Sequence, residues 1–355
     1  GRRARGRGAR LSVWEAARGP AGRMSTFRSD AAGERLVADL GAQVLSVPAE
    51  EADSIPDWIR PELVPAEGLA ATDERSQDAL WRHYHVPAGM TALQRASLAA
   101  ARADELLFGQ QVAAVEPAGD RWKVSTTPPR RGGLRRGAAA GQRTHGAFDA
   151  VVFAGTARDA LRLRGLPESL AEVDAAALRR VRYDSRFCLA LLLSPSMRPA
   201  LDQLFGPSAE VLPGGRSEGV ELACRQDCKG RSGSSGIFVV LHSTAAFAAT
   251  TWKAKRASRS PQRRARSSLA AEFAGLLGCS PSELEGAVLD GKVVNWRQCQ
   301  ARELFRRRGR LFCATPGGGL PLLAAAGDYF ASSSFSGCLA SARAVAAEVA
   351  ARLDA

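Results

Sequence analysis

No stretch of this chain is apolar for long enough to cross a bilayer. The longest run, around Cys188 to Leu193, falls far short of the roughly 20 residues that a spanning helix requires. The sequence also carries no apolar h-region of a secretory signal. No C-x-x-C pair occurs, and Cys224 with Cys228 lacks a second ligand pair at zinc spacing, so neither a zinc module nor a disulfide framework is expected. Seven cysteines, an odd number, read as reduced thiols of a cytoplasmic-type compartment. Tyrosine occurs three times and lysine is rare. No catalytic dyad or triad is evident.

At 355 residues and 45% hydrophobic composition, the chain exceeds the size at which single cores divide, and two domains are expected. The net charge is +13. It is concentrated in three blocks without acids: five arginines in Gly1 to Arg10, four in Arg130 to Arg136, and seven basic residues in Lys253 to Arg266. The rest of the chain is therefore slightly acidic, at −3. A surface for nucleic acid would interleave aromatic residues for base stacking, and these blocks have none. They read as solvated loop insertions, nucleic acid is not expected as a partner, and no membrane association is expected.

Residues 11–43 carry the densest functional signal. Leu11 and Val13 alternate with Ser12 as in a half-buried strand, which ends at Trp14 and Glu15. A carboxylate ending a strand can accept the hydroxyls of an adenosine ribose. The loop Arg18-Gly19-Pro20-Ala21-Gly22-Arg23 then lets backbone and one guanidinium approach a pyrophosphate. An ordinary strand and surface loop is the plainer reading. Gly22-Arg23-Met24 and Asp39-Leu40-Gly41-Ala42-Gln43 follow in order. In this combination the chain resembles the flavin amine-oxidase superfamily and, within it, the renalase-like FAD-dependent oxidoreductases. That family has a V-W-[DE] strand, a loop ending G-G-R-M, and D-L-G-A-Q. Ala21 departs from the pattern, standing where the first loop glycine is usual.

An apolar first strand with a G-x-G-x-x-G turn would precede such a loop, and residues 1–10 hold neither; the expectation is an N-terminally truncated sequence, with Gly6-Arg7-Gly8 as a helix-to-strand turn. Residues 44–87 read as irregular, and His83 with His85 has no third metal ligand nearby in sequence. Thr91 caps a helix running to about Ala103. Leu106 to Val115 and Trp122 to Thr126 form a hairpin about the turn at residues 117–120. Residues 127–145 read as a loop. A buried strand follows over Phe148 to Thr156. Further strands are expected over Arg186 to Leu193, Ile237 to His242 and Ala287 to Trp296, with a helix over Pro261 to Leu277. Leu322 to Phe330 is a strand closing on Gly327-Asp328, ahead of a terminal helix beginning near Gly337.

The expected fold is α/β, a Rossmann-like FAD-binding domain (1–48, 105–164, 311–355) with a mixed or antiparallel-sheet substrate domain (49–104, 165–310). The resemblance implies that Glu15, Gly22, Arg23, Met24, Val112, Gly327, Asp328 and Gly337 bind FAD, Val112 framing the adenine; a core valine is the plainer reading there. It implies a flavoprotein oxidoreductase that carries out NAD(P)H oxidation on isomeric or anomeric forms, with O2 as acceptor and hydrogen peroxide as product. His242 and Gln43 are the pocket candidates, and a satisfied structural histidine is the competing reading of His242. Amine oxidase activity and an inactive fragment that has lost FAD are the alternatives.

Overall fold

The computed structural model describes residues 9–20, 22–66, 80–128, 142–206, 210–211, 217–231, 233–254, 260–305, 312–314 and 321–354. The arginine block at 130–136, the turn at residues 6–8 and Ala21 lie outside the described residues. In chain order the strands are β1 (Ser12–Glu15), β2 (Thr26–Ser29), β3 (Leu36–Asp39), β4 (Leu45–Pro48), β5 (Val64–Pro65) and β6 (Trp81–His85). They continue with β7 (Glu105–Phe108), β8 (Gln111–Ala118), β9 (Arg121–Thr127), β10 (Arg143–Phe148), β11 (Ala150–Phe153) and β12 (Arg182–Leu193). The last are β13 (Glu210–Val211), β14 (Val220–Arg225), β15 (Ile237–Ser243), β16 (Val288–Glu303), β17 (Phe312–Ala314) and β18 (Leu322–Ala325). The helices are α1 (Thr91–Ala101), α2 (Ala157–Ala160), α3 (Glu172–Arg180), α4 (Arg198–Phe205), α5 (Ala245–Lys253), α6 (Pro261–Leu277), α7 (Pro281–Ala287) and α8 (Phe335–Asp354). Helices and mixed and antiparallel sheets make this an α/β protein.

The chain divides into two compact units: Gly1–Pro20 with Ser97–Tyr183 and Gln300–Ala355, and Ala21–Ala96 with Asp184–Cys299. These boundaries differ from those expected. Residues 21–48 fall in the second unit because the β2–β3 hairpin packs on β15 and is hydrogen-bonded to Thr91 and Gln226. Residues 165–183 and 300–310 fall in the first, where Leu166, Leu178 and Phe305 are buried with Val115, Trp122 and Tyr329.

In the first unit β1 pairs with β7, and β11 with β18, both in parallel. A parallel pair needs a crossover, and here each crossover is very long, running through the residues of the second unit. β17 adds antiparallel to β18, and β8, β9 and β10 form an antiparallel meander. The single strand expected over Leu106 to Val115 is interrupted at Gly109 and Gln110, so that β7 serves the parallel pair and β8 the meander. Likewise β10 and β11 divide the strand expected from Phe148.

The second unit is built on a five-stranded sheet ordered β13-β14-β15-β12-β16. β12 and β15 are buried on both faces, which is why they read as unbroken apolar runs. Odd-numbered Phe187 to Leu193 face a core with α6, and even-numbered Cys188, Ala190 and Leu192 face Leu36, Ala38 and Leu40 of the β2–β3 hairpin. Residues 44–87, expected to be irregular, hold the antiparallel sheet β4-β6-β5.

Helix α6 occupies the range expected, but it also absorbs Arg263, Arg264 and Arg266 of the third basic block, which therefore is not a loop throughout. Ser260 accepts the Arg263 backbone N–H, Pro261 follows at the first helical position, and Ala265, Leu269 and Phe273 recur every fourth residue on the buried face. Phe273→Ala should lower unfolding free energy by about 3–5 kcal/mol, and Ser280→Ala, which removes the capping box of α7, by about 1 kcal/mol. Urea midpoints of the two variants check this ordering; equal losses would refute the packing described for α6.

Candidate functional site

The sequence-derived candidates separate by unit. Gly22, Arg23, Met24, Gln43 and His242 lie in the second, and Glu15, Val112, Gly327, Asp328 and Gly337 in the first.

In the second unit the two signature segments form one structure. After β3 the chain crosses directly over the Gly22–Met24 turn: the Ala42 N–H donates to the Arg23 carbonyl at 3.0 Å, and a Cβ at Gly41 would collide with that carbonyl. Only glycine permits so close an approach of two backbones. The Met24 carbonyl accepts from Thr91 Oγ1 at 3.3 Å, and one Arg23 N–H donates to the Cys299 carbonyl at 2.9 Å. Arg23 thus ties down its own unit. His242 Nε2–H donates to the Leu40 carbonyl at 2.9 Å, so the histidine also supports this crossing, as the plainer reading of it held.

Beneath the crossing lies a buried polar network centred on Asp39. Its Oδ1 accepts from Thr26 Oγ1 at 3.0 Å and from the Met90 N–H at 2.7 Å; its Oδ2 accepts from Arg231 and stands 3.9 Å from Lys229 Nζ. Lys229 is fully buried and donates to both the backbone carbonyl and Oε1 of Gln43, each at 2.8 Å. Gln43 returns its amide N–H groups to the Asp39 and Gly41 carbonyls, and Gln226 Nε2 donates to Gln43 Oε1 at 2.8 Å. Arg231 also donates to the carbonyls of Val86 and Pro87 and to Gln226 Oε1. Each hydrogen-bonding atom of the Gln43 side chain is therefore engaged within the network.

His85 lies within electrostatic reach of the network, with its Nε2 buried and unpartnered. Burial first, and then the Lys229 and Arg231 charges, push its pKa down to about 4. Burial pushes His242 down to about 4 as well, against the raising effect of the Leu40 hydrogen bond. Both rings are neutral at pH 7. His83 bonds Ser46 Oγ at 2.8 Å, and among the described residues no group of three or more His, Cys, Asp or Glu is placed to hold a metal.

Sequence reasoning did not single out Gln226, Lys229 or Arg231. The available signal was the charged run Arg225-Gln226-Asp227-Cys228-Lys229-Gly230-Arg231 between two buried strands, too densely polar for a simple connection. Arg225 on that run is held by Asp227 and Asp202, whose hydrogen bonds raise its pKa in spite of burial.

In the first unit Glu15 ends β1 half-buried, with Oε1 accepting the Ala17 N–H at 2.7 Å. Val112 lies on β8 opposite Thr126, half-buried and packed against the Val115–Trp122 core. Gly327 and Asp328 follow β18, and Asp328 is buried and accepts from Ser333 Oγ at 2.6 Å. Gly337 sits so near the Ser332 carbonyl that a Cβ would collide with it, and its N–H donates to Ser334 Oγ at 3.1 Å. Ser334 thus caps one N–H in the first turn of α8.

Compared with known proteins, the chain matches no family model and no curated protein. Among the described residues no helix is long and apolar enough to cross a membrane.

Two outcomes follow. Gly41→Ala should destabilise the fold by more than about 3 kcal/mol, because backbone and not a mobile side chain obstructs the new methyl, whereas Gly19→Ala, with open space around it, should cost less than about 1 kcal/mol. Chemical denaturation of both variants decides this, and a Gly41→Ala protein of native stability would disprove the crossing. For the histidines, an unfolded pKa near 6.5 and folded values of about 4 mean that the unfolded state binds more protons between those limits. Stability is then full above about pH 6.5 and falls, by a few kcal/mol in total, as pH drops toward 4. Denaturant midpoints of the protein and of His85→Gln should diverge in slope across that window; parallel curves would exclude a neutral buried His85.

Proposed function

We propose that the chain is a renalase-like, FAD-dependent oxidoreductase that oxidises a reduced nicotinamide dinucleotide in an isomeric or anomeric form and passes the electrons to oxygen. The observation that carries this reading is the placement of two carboxylates in the first unit. Glu15 ends β1 and Asp328 follows β18, each at the carboxyl end of a strand in a parallel pair. Ligands of Rossmann-like sheets bind beyond such strand ends, and a carboxylate there recognises sugar hydroxyls. The joint folding of Gly22-Arg23-Met24 with Asp39 to Gln43 adds support, since the resemblance rests on those two segments.

The residues present fit FAD unevenly. Glu15 is suited to ribose hydroxyls, and open space beside Gly19 leaves room for a phosphate to approach the loop. Asp328 retains a role for a second set of hydroxyls, while the capping of Gly337 by Ser334 reduces what α8 offers an anion. Bound FAD would supply a two-electron acceptor. The protein's own task is then to bind, orient and exclude water, because a dihydronicotinamide releases hydride without acid–base assistance. The overall balance is NAD(P)H, O2 and a proton giving NAD(P)+ and H2O2.

An absorbance spectrum of the purified chain with added FAD tests the reading. Flavin bands that bleach anaerobically with aged or anomerised NAD(P)H, and return in air with hydrogen peroxide, are expected. A protein that stays colourless in excess FAD would overturn it.

A further inference from the structure

We infer that Arg28, Arg35 and Arg95 form a phosphate-binding face on the second unit, and, resting on the function proposed above, that it receives a phosphate of the dinucleotide substrate. The geometry begins with the reciprocal bonds between Thr26 and Thr91: the Thr26 N–H donates to Thr91 Oγ1 at 2.9 Å, and the Thr91 N–H to Thr26 Oγ1 at 3.1 Å. From this junction the strand period of two carries the face of Thr26 to Arg28, and the helix period of nearly four carries the face of Thr91 to Arg95. Across the hairpin Val37 is the partner of Arg28, and Arg35 is two residues before it, again on the same face. One Arg28 N–H donates to the Ala88 carbonyl at 3.5 Å, which holds that side chain toward the start of α1.

These arginines feel one another. The Arg28 pKa is lowered by burial first and then by Arg95 and Arg35, against a raising effect of Asp39, with a smaller lowering by Arg231. The acids that face them are few. Asp39 is committed to Thr26, Met90, Arg231 and Lys229, and Asp30 meets Arg35 at 3.8 Å with both side chains mostly in solvent, where such a pair contributes little. Outside its three basic blocks the chain carries a net charge of −3, so three arginines gathered against the already occupied Asp39 and the exposed Asp30 run against the trend.

Guanidinium groups match phosphate oxygens in pairs of hydrogen bonds, and a bound phosphate would relieve their mutual repulsion. The adjoining depression, lined in part by Val37, Gln226, Arg231 and Phe238, holds only about 20 Å³, the room of a single water. A ligand's phosphate would therefore rest on the arginine face, with the remainder of the ligand outside this depression.

The test has two arms. Inorganic pyrophosphate is titrated calorimetrically into the full chain and into Arg28→Ala and Arg95→Ala, with Arg263→Ala as control, since Arg263 is exposed on α6 across the five-stranded sheet. Binding should weaken about ten-fold in each of the first two and not in the control. In the second arm, KM for reduced dinucleotide should rise about ten-fold in the same variants, with kcat and FAD affinity unchanged and with no change for reduced nicotinamide riboside, which has no phosphate. Unaltered pyrophosphate binding, an equal KM rise for the riboside, or a change confined to FAD affinity would overturn the inference. If no reduced nicotinamide is oxidised at all, the proposed function fails, and the pyrophosphate arm still decides whether the face binds phosphate.

Discussion

The second unit depends on one buried negative charge. Placing a carboxylate where it has no solvent contact costs several kcal/mol unless its oxygens are fully occupied, and Asp39 meets that condition with Thr26, the Met90 backbone, Arg231 and Lys229. These partners come from three regions of the chain: the β2–β3 hairpin, the turn before α1 and the run after β14. Thr26 meets Asp39 directly across the hairpin, whereas Met90, Lys229 and Arg231 are brought to it by the tertiary fold. Such a network is cooperative, because removing one member leaves the rest buried and unpaired. Two cations against one anion would still leave a surplus, and backbone carbonyls of Gln43, Val86 and Pro87 take up the remaining donors.

That arrangement accounts for the proximity of two short segments separated by some fifteen residues. The Gly22–Met24 turn and the Asp39–Gln43 segment cross at Gly41, and the network beneath holds the crossing closed. Glycine at 41 admits the contact, while Gln43 spans Asp39 and Lys229 and so keeps the segment from lifting. His242 braces the same segment from the neighbouring sheet through the Leu40 carbonyl.

Where the sequence was legible, local chemistry decided the outcome. Helix α6 begins at a serine and proline pair, repeats its apolar residues every fourth position and ends before Gly278, so its range could be read directly. β12 and β15 were readable because burial on both faces leaves an uninterrupted apolar run. The break between β7 and β8 was not readable, since it is decided by which strand lies beside Glu105 to Phe108, and that strand is β1, some ninety residues earlier. The partners of Asp39 were equally hidden: Gln226 and Arg231 are nearly two hundred residues away in sequence. Motif order marked the segments that matter, but it could not state that Gln43 and His242 serve as braces.

The same carboxylate shapes the surface outside it. Asp39 feels Arg28 as well as Arg231, yet its oxygens already receive donors from within. It can lower the potential around Arg28, but it cannot accept the paired hydrogen bonds that a guanidinium donates to a dedicated partner. Among the described residues Arg35 meets a loosely held Asp30, and Arg95 is exposed on α1. Stabilising the interior of the unit with its one central acid thus leaves the arginine face above it with the exposed Asp30 pair and the Ala88 carbonyl as its partners among the described residues. An external anion with several oxygens in a compact group is the chemistry that completes it.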